Sequence, residues 1–344
     1  MKENNEKLPL LMTVHGDHPS RQSFYSLVDR QSQKTQLPIL IPRRIIGSGH
    51  GWLVLVNILT GKSSLWNPDS MSQISLPFLH DAHMYSRCVL TGPPTEPDCH
   101  IIFCSLNEEE QTVFRVRDCT TVSSPPGEVQ IAAMASFRGE MYGLVDTDDR
   151  GFEFVTVHVV EGGLEFRPLL DELGRTVKVP YARRNWVNAY KCHLIEAPGS
   201  GGLLLVMKLM RGGYLKVGVE FKVFRVEVAA NHRVECVELD SVEEWTIFIN
   251  NLGSSFCRTS QKGACRPNCV YYTDEWKGRA VKVYDFGERS TTVLMPFRYA
   301  GRYVSLCYWV DIPNIPEPEL EPQEVEHNPE PELELEPQEV EPEP

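Results

Sequence analysis

Several residue groups have the types and spacing that chemistry uses. Gly47, Gly49 and Gly51 in "GSGHGW" stand at alternate positions after an apolar run, the way a phosphate-gripping loop begins. His15 and His18 in "HGDH", and His80 and His83 in "HDAH", have spacings that could set two imidazoles on one metal ion. Cys99, His100 and Cys104, or Cys265 and Cys269, could form half of a zinc site. Asp146, Asp148 and Asp149 in "VDTDDRG" are candidates for the carboxylate pair of glycoside hydrolysis.

Each group lacks something its chemistry requires. A dinucleotide loop needs a helix after the glycines, because the helix N-terminus supplies the N–H groups and dipole that hold the pyrophosphate. Here the glycines lead into the β-prone run Trp52-Leu-Val-Leu-Val-Asn57, then the turn Leu59-Thr-Gly-Lys62, then Ser64-Leu-Trp66 closed by Asn67-Pro68. The unit reads strand, turn, strand, with no G-K-[S/T] ending. The three glycines are expected to let the chain enter a buried strand where neighbouring backbone comes close. The histidine pairs lie in polar loops without a third ligand, and the cysteine pairs have no second pair at finger-like separation. The aspartates fit a tight turn, where Asp serves backbone hydrogen bonding. No G-x-S-x-G elbow is present. No catalytic residue, cofactor or metal is expected.

The elements around these residues are strands. From about residue 10 to 310, β-like runs alternate with Gly, Asp, Asn and Pro punctuation, and long amphipathic helices are absent. The unit "GHGWLVLV…LTGK…SSLWNP" returns loosely as "FRGEMYGLV…DDRG…FEFVTVHV", "GSGGLLLVM…GGY…VEFKVFRVEV" and "RPNCVYYT…EWKGR…AVKVYDF". Repeats of several strands each are the mark of propeller blades, so the fold class is all-β. A single propeller over residues 8–312 is expected, of about six blades with five to seven allowed, rather than a two-domain sandwich.

Composition bounds the partners. The chain has 344 residues, 42% of them hydrophobic, and a formal net charge of -13. The charge is uneven: residues 313–344 hold twelve Glu and no Lys or Arg, which leaves 34 basic against 35 acidic residues elsewhere. A near-neutral body argues against nucleic acid as a partner. "ELEPQEVE" occurs at Glu319–Glu326 and again at Glu334–Glu341, in Pro-Glu surroundings expected to be disordered. Residues 1–7 are expected to be a flexible N-terminus. The ten cysteines are scattered and read as reduced thiols. The N-terminus has acidic residues and a short apolar run broken by proline, and no window reaches the roughly 18 apolar residues of a span. A cytoplasmic or nuclear protein away from membranes is expected.

The run "RRIIGSGHGWLVLVNILTGKSSLWNPDSMSQISLP" resembles the opening of a plant family, the domain of unknown function 295 or KIB-type β-propeller. "FRGEMYGLVD", "GGLLLVMKLM", "VEFKVFRVEV" and "INNLGSSFCRTSQKGACRPNCVYYTDE" resemble its later segments in order. Gly47, Gly49, His50, Gly51, Trp52, Trp66, Asn67, Pro68, Phe256, Asn268 and Tyr271 carry the likeness, in structural roles. Trp52 is expected between blades, His50 to hydrogen-bond the neighbouring blade, and Trp66 to anchor a turn.

The resemblance implies a non-catalytic propeller, usually carried behind an N-terminal F-box that docks a Skp1-type adaptor of a ubiquitin ligase while the propeller holds the target. Nothing like an F-box precedes Leu8-Pro-Leu-Leu-Met12, so the expected partner is a protein target of unknown identity, without direct adaptor docking. Arg183, Arg184 and Trp186, with Trp276 and Arg279, pair Arg with Trp in predicted loops and are the expected partner-binding residues. The alternative is a β-propeller enzyme, a hydrolase or oxidase, with its site in the channel.

Overall fold

The computed structural model describes residues 10–14, 22–27, 31–35, 43–57, 59–82, 85–105, 111–122, 129–147, 151–161, 163–180, 187–199, 202–211, 218–229, 233–250, 255–260, 265–273, 280–296 and 307–310. Among them there is no α-helix, and the strands assemble into six sheets.

The first sheet takes β1 (Leu10–Val14), β2 (Gln22–Ser26) and β3 (Gln31–Thr35) from the start of the chain. The second is the meander β4 (Arg44–Gly49), β5 (Trp52–Val56), β6 (Ser63–Trp66) and β7 (Gln73–Leu76). The third is β8 (Tyr85–Leu90), β9 (His100–Ser105), β10 (Gln111–Arg115) and β11 (Thr121–Val122). The fourth comprises β12 (Ile131–Phe137), β13 (Glu140–Thr147), β14 (Gly151–Val160) and β15 (Gly163–Pro168), with β16 (Lys178–Pro180) also paired to β14. The fifth is β17 (Val187–Glu196), β18 (Leu203–Arg211), β19 (Gly218–Val228) and β20 (Val234–Leu239).

The sixth blade departs from the meander. Its order is β22 (Phe256–Thr259), β21 (Trp245–Ile249), β23 (Cys269–Thr273), β24 (Ala280–Asp285) and β25 (Ser290–Pro296), and β21 runs parallel to β23. The last strand, β26 (Cys307–Val310), returns to the first sheet and pairs antiparallel with β1, from Leu10 opposite Val310 to Thr13 opposite Cys307. Three strands from the start of the chain and one from the end complete one blade. The ring is thereby closed, and the architecture is a six-bladed β-propeller.

A blade buries both faces against its neighbours, which explains strands that are apolar throughout. All five residues of β5, Trp52-Leu-Val-Leu-Val56, are buried, as are all five of β23, Cys269-Val-Tyr-Tyr-Thr273. The outer strands β7 and β20 expose half of their residues. The core is accordingly a set of layers between blades. Ile46, Trp52, Val54 and Leu65 of the second blade meet Cys88, Ile101, Phe103 and Phe114 of the third, and Leu144, Phe152 and Phe154 of the fourth meet Leu203, Leu205 and Val226 of the fifth. Closure is sealed by Trp309 of β26, 2% exposed and edge-on to Phe248 with ring centroids 5.0 Å apart.

Candidate functional site

The glycine stretch resolves into two devices. His50 and Gly51 have φ of 52° and 78° and connect Gly49 to its partner Trp52, the two-residue hairpin with both central residues at positive φ. Arg138 and Gly139, at 52° and 80°, join β12 to β13 in the same way. Gly47 is the close approach: a Cβ there would collide with Cys88 Sγ and lie 2.8 Å from the Cys88 carbonyl oxygen. At Gly49 an added Cβ would make only ordinary contact with Leu90, at 3.7 Å. The expectation of close backbone therefore holds at Gly47 alone.

These contacts set neighbouring inner strands side by side in one direction, Gly47 by Cys88 and Gly49 by Leu90. Arg87 Nη2 donates to the Ile131 carbonyl (3.1 Å) and Ser136 Oγ to the Thr91 carbonyl (3.0 Å), which orients β12 the same way as β8. Their C-terminal ends converge on one mouth of a central cavity of about 390 Å³. Ser48 to Trp52, Arg87, Ser136, His193, Glu196 and Arg258 are among its walls.

The cavity is basic with one described carboxylate. Arg87 spans it, reaching the Ile131 carbonyl of the fourth blade and, at 3.5 Å, the Cys192 carbonyl of the fifth. Arg258 stands 5.6 Å over the Phe256 ring, with Nη1 donating to the Cys257 carbonyl (2.8 Å). Ser255 Oγ accepts the Asn250 N–H (3.1 Å) and lies 3.0 Å from His193 Nδ1. Among the described residues Nε2 of His193 is buried without a hydrogen-bond partner. Burial, then the charges of Arg87, Lys191 and Lys208, hold the His193 pKa well below its usual value, so the ring is neutral. At the mouth His50 is also shifted down, by desolvation that outweighs the pull of Glu96 and Glu196.

The KIB1-4 beta-propeller family pattern matches residues 24–285. The chain belongs to that family. No curated protein matches it. Among solved structures it is similar to Hsv2 of Kluyvelomyces marxianus, at 11% identity and a TM-score of 0.31, over 70% of this chain and 65% of that one. It thus spans less than two thirds of Hsv2. It is similar to a DUF4784 family protein from Bacteroides caccae at 8% identity and a TM-score of 0.35, over 85% of this chain and 71% of that one. Likenesses this distant say nothing of activity.

Several of the residues that carry the resemblance pack within and between the blades. Trp52 is 7% exposed and packs between the second and third blades. His50 departs from expectation. It is exposed at the hairpin tip, and no hydrogen bond joins it to another described residue. Trp66 ends β6, 1% exposed, at the turn expected after it, which is made by Asn67, whose Oδ1 accepts the N–H groups of Asp69 and Ser70, both at 2.9 Å. Pro68 comes next within that turn. Phe256 and Tyr271 both stack on Phe248, at 5.6 and 5.3 Å. Asn268, at φ 58°, accepts the Val242 N–H (2.9 Å) and lies 3.0 Å from the Ser241 hydroxyl.

The other candidates are dispersed. Asp146 lies in β13 opposite Phe152 rather than in a turn, since the strand runs on to Thr147; Asp148 and Asp149 lie outside the described residues. So do Arg183, Arg184, Trp186, Trp276, Arg279, His15, His18 and His83. His80 is exposed and edge-on to Phe78 at 4.9 Å. Cys99 points to the Gly92 carbonyl, and Cys269, its thiol pushed up to about 12 chiefly by burial, lies 3.7 Å from Asp285 Oδ2. Among the described residues no three His, Cys, Asp or Glu come together as a metal site.

One surface feature was invisible in the sequence. Leu173 is 74% exposed at the apex of the loop between β15 and β16. Asp171 Oδ1 accepts the N–H groups of Leu173 (2.8 Å) and Arg175 (2.9 Å), and Arg175 Nε returns to Asp171 Oδ2 at 2.8 Å. Arg233, from the turn into β20, donates to the carbonyls of Asp171 and Glu172. Leu170, 43% exposed, lies beside this apex in the chain. Only the Asp-x-x-Gly pattern Asp171–Gly174 could have hinted at so ordered a loop.

Proposed function

We propose that the chain is a non-catalytic protein-interaction module, related to the target-binding propellers of F-box proteins. The observation that carries this reading is the Leu170–Arg175 loop, which holds an exposed leucine on a backbone fixed by Asp171 and Arg233. A preformed apolar apex contributes to association because little ordering entropy remains to be lost. A rigid scaffold presenting loops is the arrangement recognition surfaces use. Membership of the KIB1-4 beta-propeller family supports the same reading.

The test is affinity capture from plant extract with the tagged chain and its Leu173→Asp variant, compared by quantitative mass spectrometry. The expected result is a set of proteins held by the parent and depleted about tenfold by the variant, the effect of losing one interface anchor. Retention of nothing beyond what an unrelated propeller holds would overturn the interaction reading.

A further inference from the structure

The last described strand points the chain at the cavity mouth. β26 is antiparallel to β1 as β4 is to β5, so Val310 ends on the face where Gly49, Leu90 and Glu196 end their strands. The level is fixed by Asn250, whose Nδ2 donates to the Trp309 carbonyl (2.9 Å), whose Oδ1 accepts the Trp309 N–H (2.7 Å), and whose own N–H reaches Ser255. Trp309 therefore stands level with Ser255 and His193, and Arg258 lies three residues further along β22 from Ser255. Beyond that strand, residues 313–344 carry twelve Glu and no Lys or Arg.

We propose that this acidic segment, residues 313–326 foremost, docks in cis on the mouth of the propeller channel, facing Arg258 and Arg87. Charge is complementary, since Arg87 and Arg258 line the cavity and Lys191 and Lys208 add to the potential felt at His193. Among the described residues that line the cavity, Glu196 is the one carboxylate. Reach is ample: Glu319 lies nine residues beyond Val310, up to about 30 Å of extended chain. Single exposed ion pairs are weak, so occupancy depends on several Glu acting together and on the high effective concentration of a tethered segment. The proposal goes beyond partner binding through Leu173 and does not depend on it.

The test uses the full-length chain and a full-length variant with all twelve tail Glu changed to Gln. A fluorescein-labelled peptide of residues 313–326 is titrated into each and monitored by anisotropy. The peptide should bind the Gln-tailed chain about tenfold or more tightly than the native chain, whose own segment competes. Binding should weaken on raising salt to about 0.5 M. Arg258→Glu in the Gln-tailed background should weaken it about tenfold. Equal binding to native and Gln-tailed chains, or binding to neither, would overturn the proposal. So would a folded Arg258→Glu chain that binds the peptide as before. If that variant fails to fold, the native and Gln-tailed comparison still decides.

Discussion

Asn268 joins the sixth blade's strands through its side chain as much as its backbone. Its φ of 58° is one that L-residues avoid, and its Oδ1 holds the turn at Ser241 and Val242. Asn268→Ala loses those bonds and keeps the strained backbone, for an expected loss of about 2–3 kcal/mol; Asn268→Gly, free of the strain, should be about 1 kcal/mol less damaging in urea unfolding. His193 gives a pH signature. In the fold its pKa lies well below the unfolded value, so its contribution is complete above about pH 6.5. As pH falls further, the unfolded chain binds a proton that the fold refuses. Stability should then drop by up to about 1.4 kcal/mol per unit until the folded pKa is reached. Urea midpoints at pH 7.5 and 5.5 should separate less in His193→Gln than in the parent. Legibility at this scale was mixed. The Asn67-Pro68 turn after the run ending at Trp66 was written in the sequence, but Asp146 was read into a turn because Asp-rich stretches look the same where a strand still runs on, here to Thr147. Arg87, His193 and Arg258 sit in strands far apart in the chain, so no local pattern marked them.

The strands themselves were legible because apolar runs bounded by Gly, Asn and Asp identify β structure without any knowledge of partners. Partners were not. Nothing local shows that β21 pairs parallel with β23, or that Cys307–Val310 travels back to β1. Irregularities recur with the repeat: the register shifts between Ile45 and Gly47, Tyr85 and Arg87, Ile131 and Ala133, and Val187 and Ala189, near the start of four successive inner strands. Such bulges raise local twist, which suits strands at the crowded axis. Ring closure depends on one side chain in particular, since the Asn250 amide both donates to and accepts from the Trp309 backbone. Asn250→Ala should therefore raise hydrogen–deuterium exchange of β26 and β1 amides about tenfold, the effect of about 1.4 kcal/mol lost locally, while β14 and β18 keep their protection. Uniform acceleration across all six blades would show that closure opens only with the whole ring.

At the scale of the molecule, six blades with apolar layers between them form a scaffold that tolerates change at its loops. The repeat spacing allowed five to seven blades, because hairpins of similar sequence mark blades without saying how many close the circle. The Leu173 loop was not legible for a different reason: an exposed leucine on a fixed loop and a buried one under a loop have the same sequence, and only the Asp171 and Arg233 contacts distinguish them. The central claim is that this propeller binds a protein through that surface. The most direct measurement is isothermal titration of a captured partner, purified, into the chain and into Leu173→Asp, with thermal melting of both. A single-site association weakened about tenfold or more by the substitution, with melting unchanged, is the predicted result. Equal affinity for the two chains, or chemical conversion of the partner in the presence of either, would contradict the account.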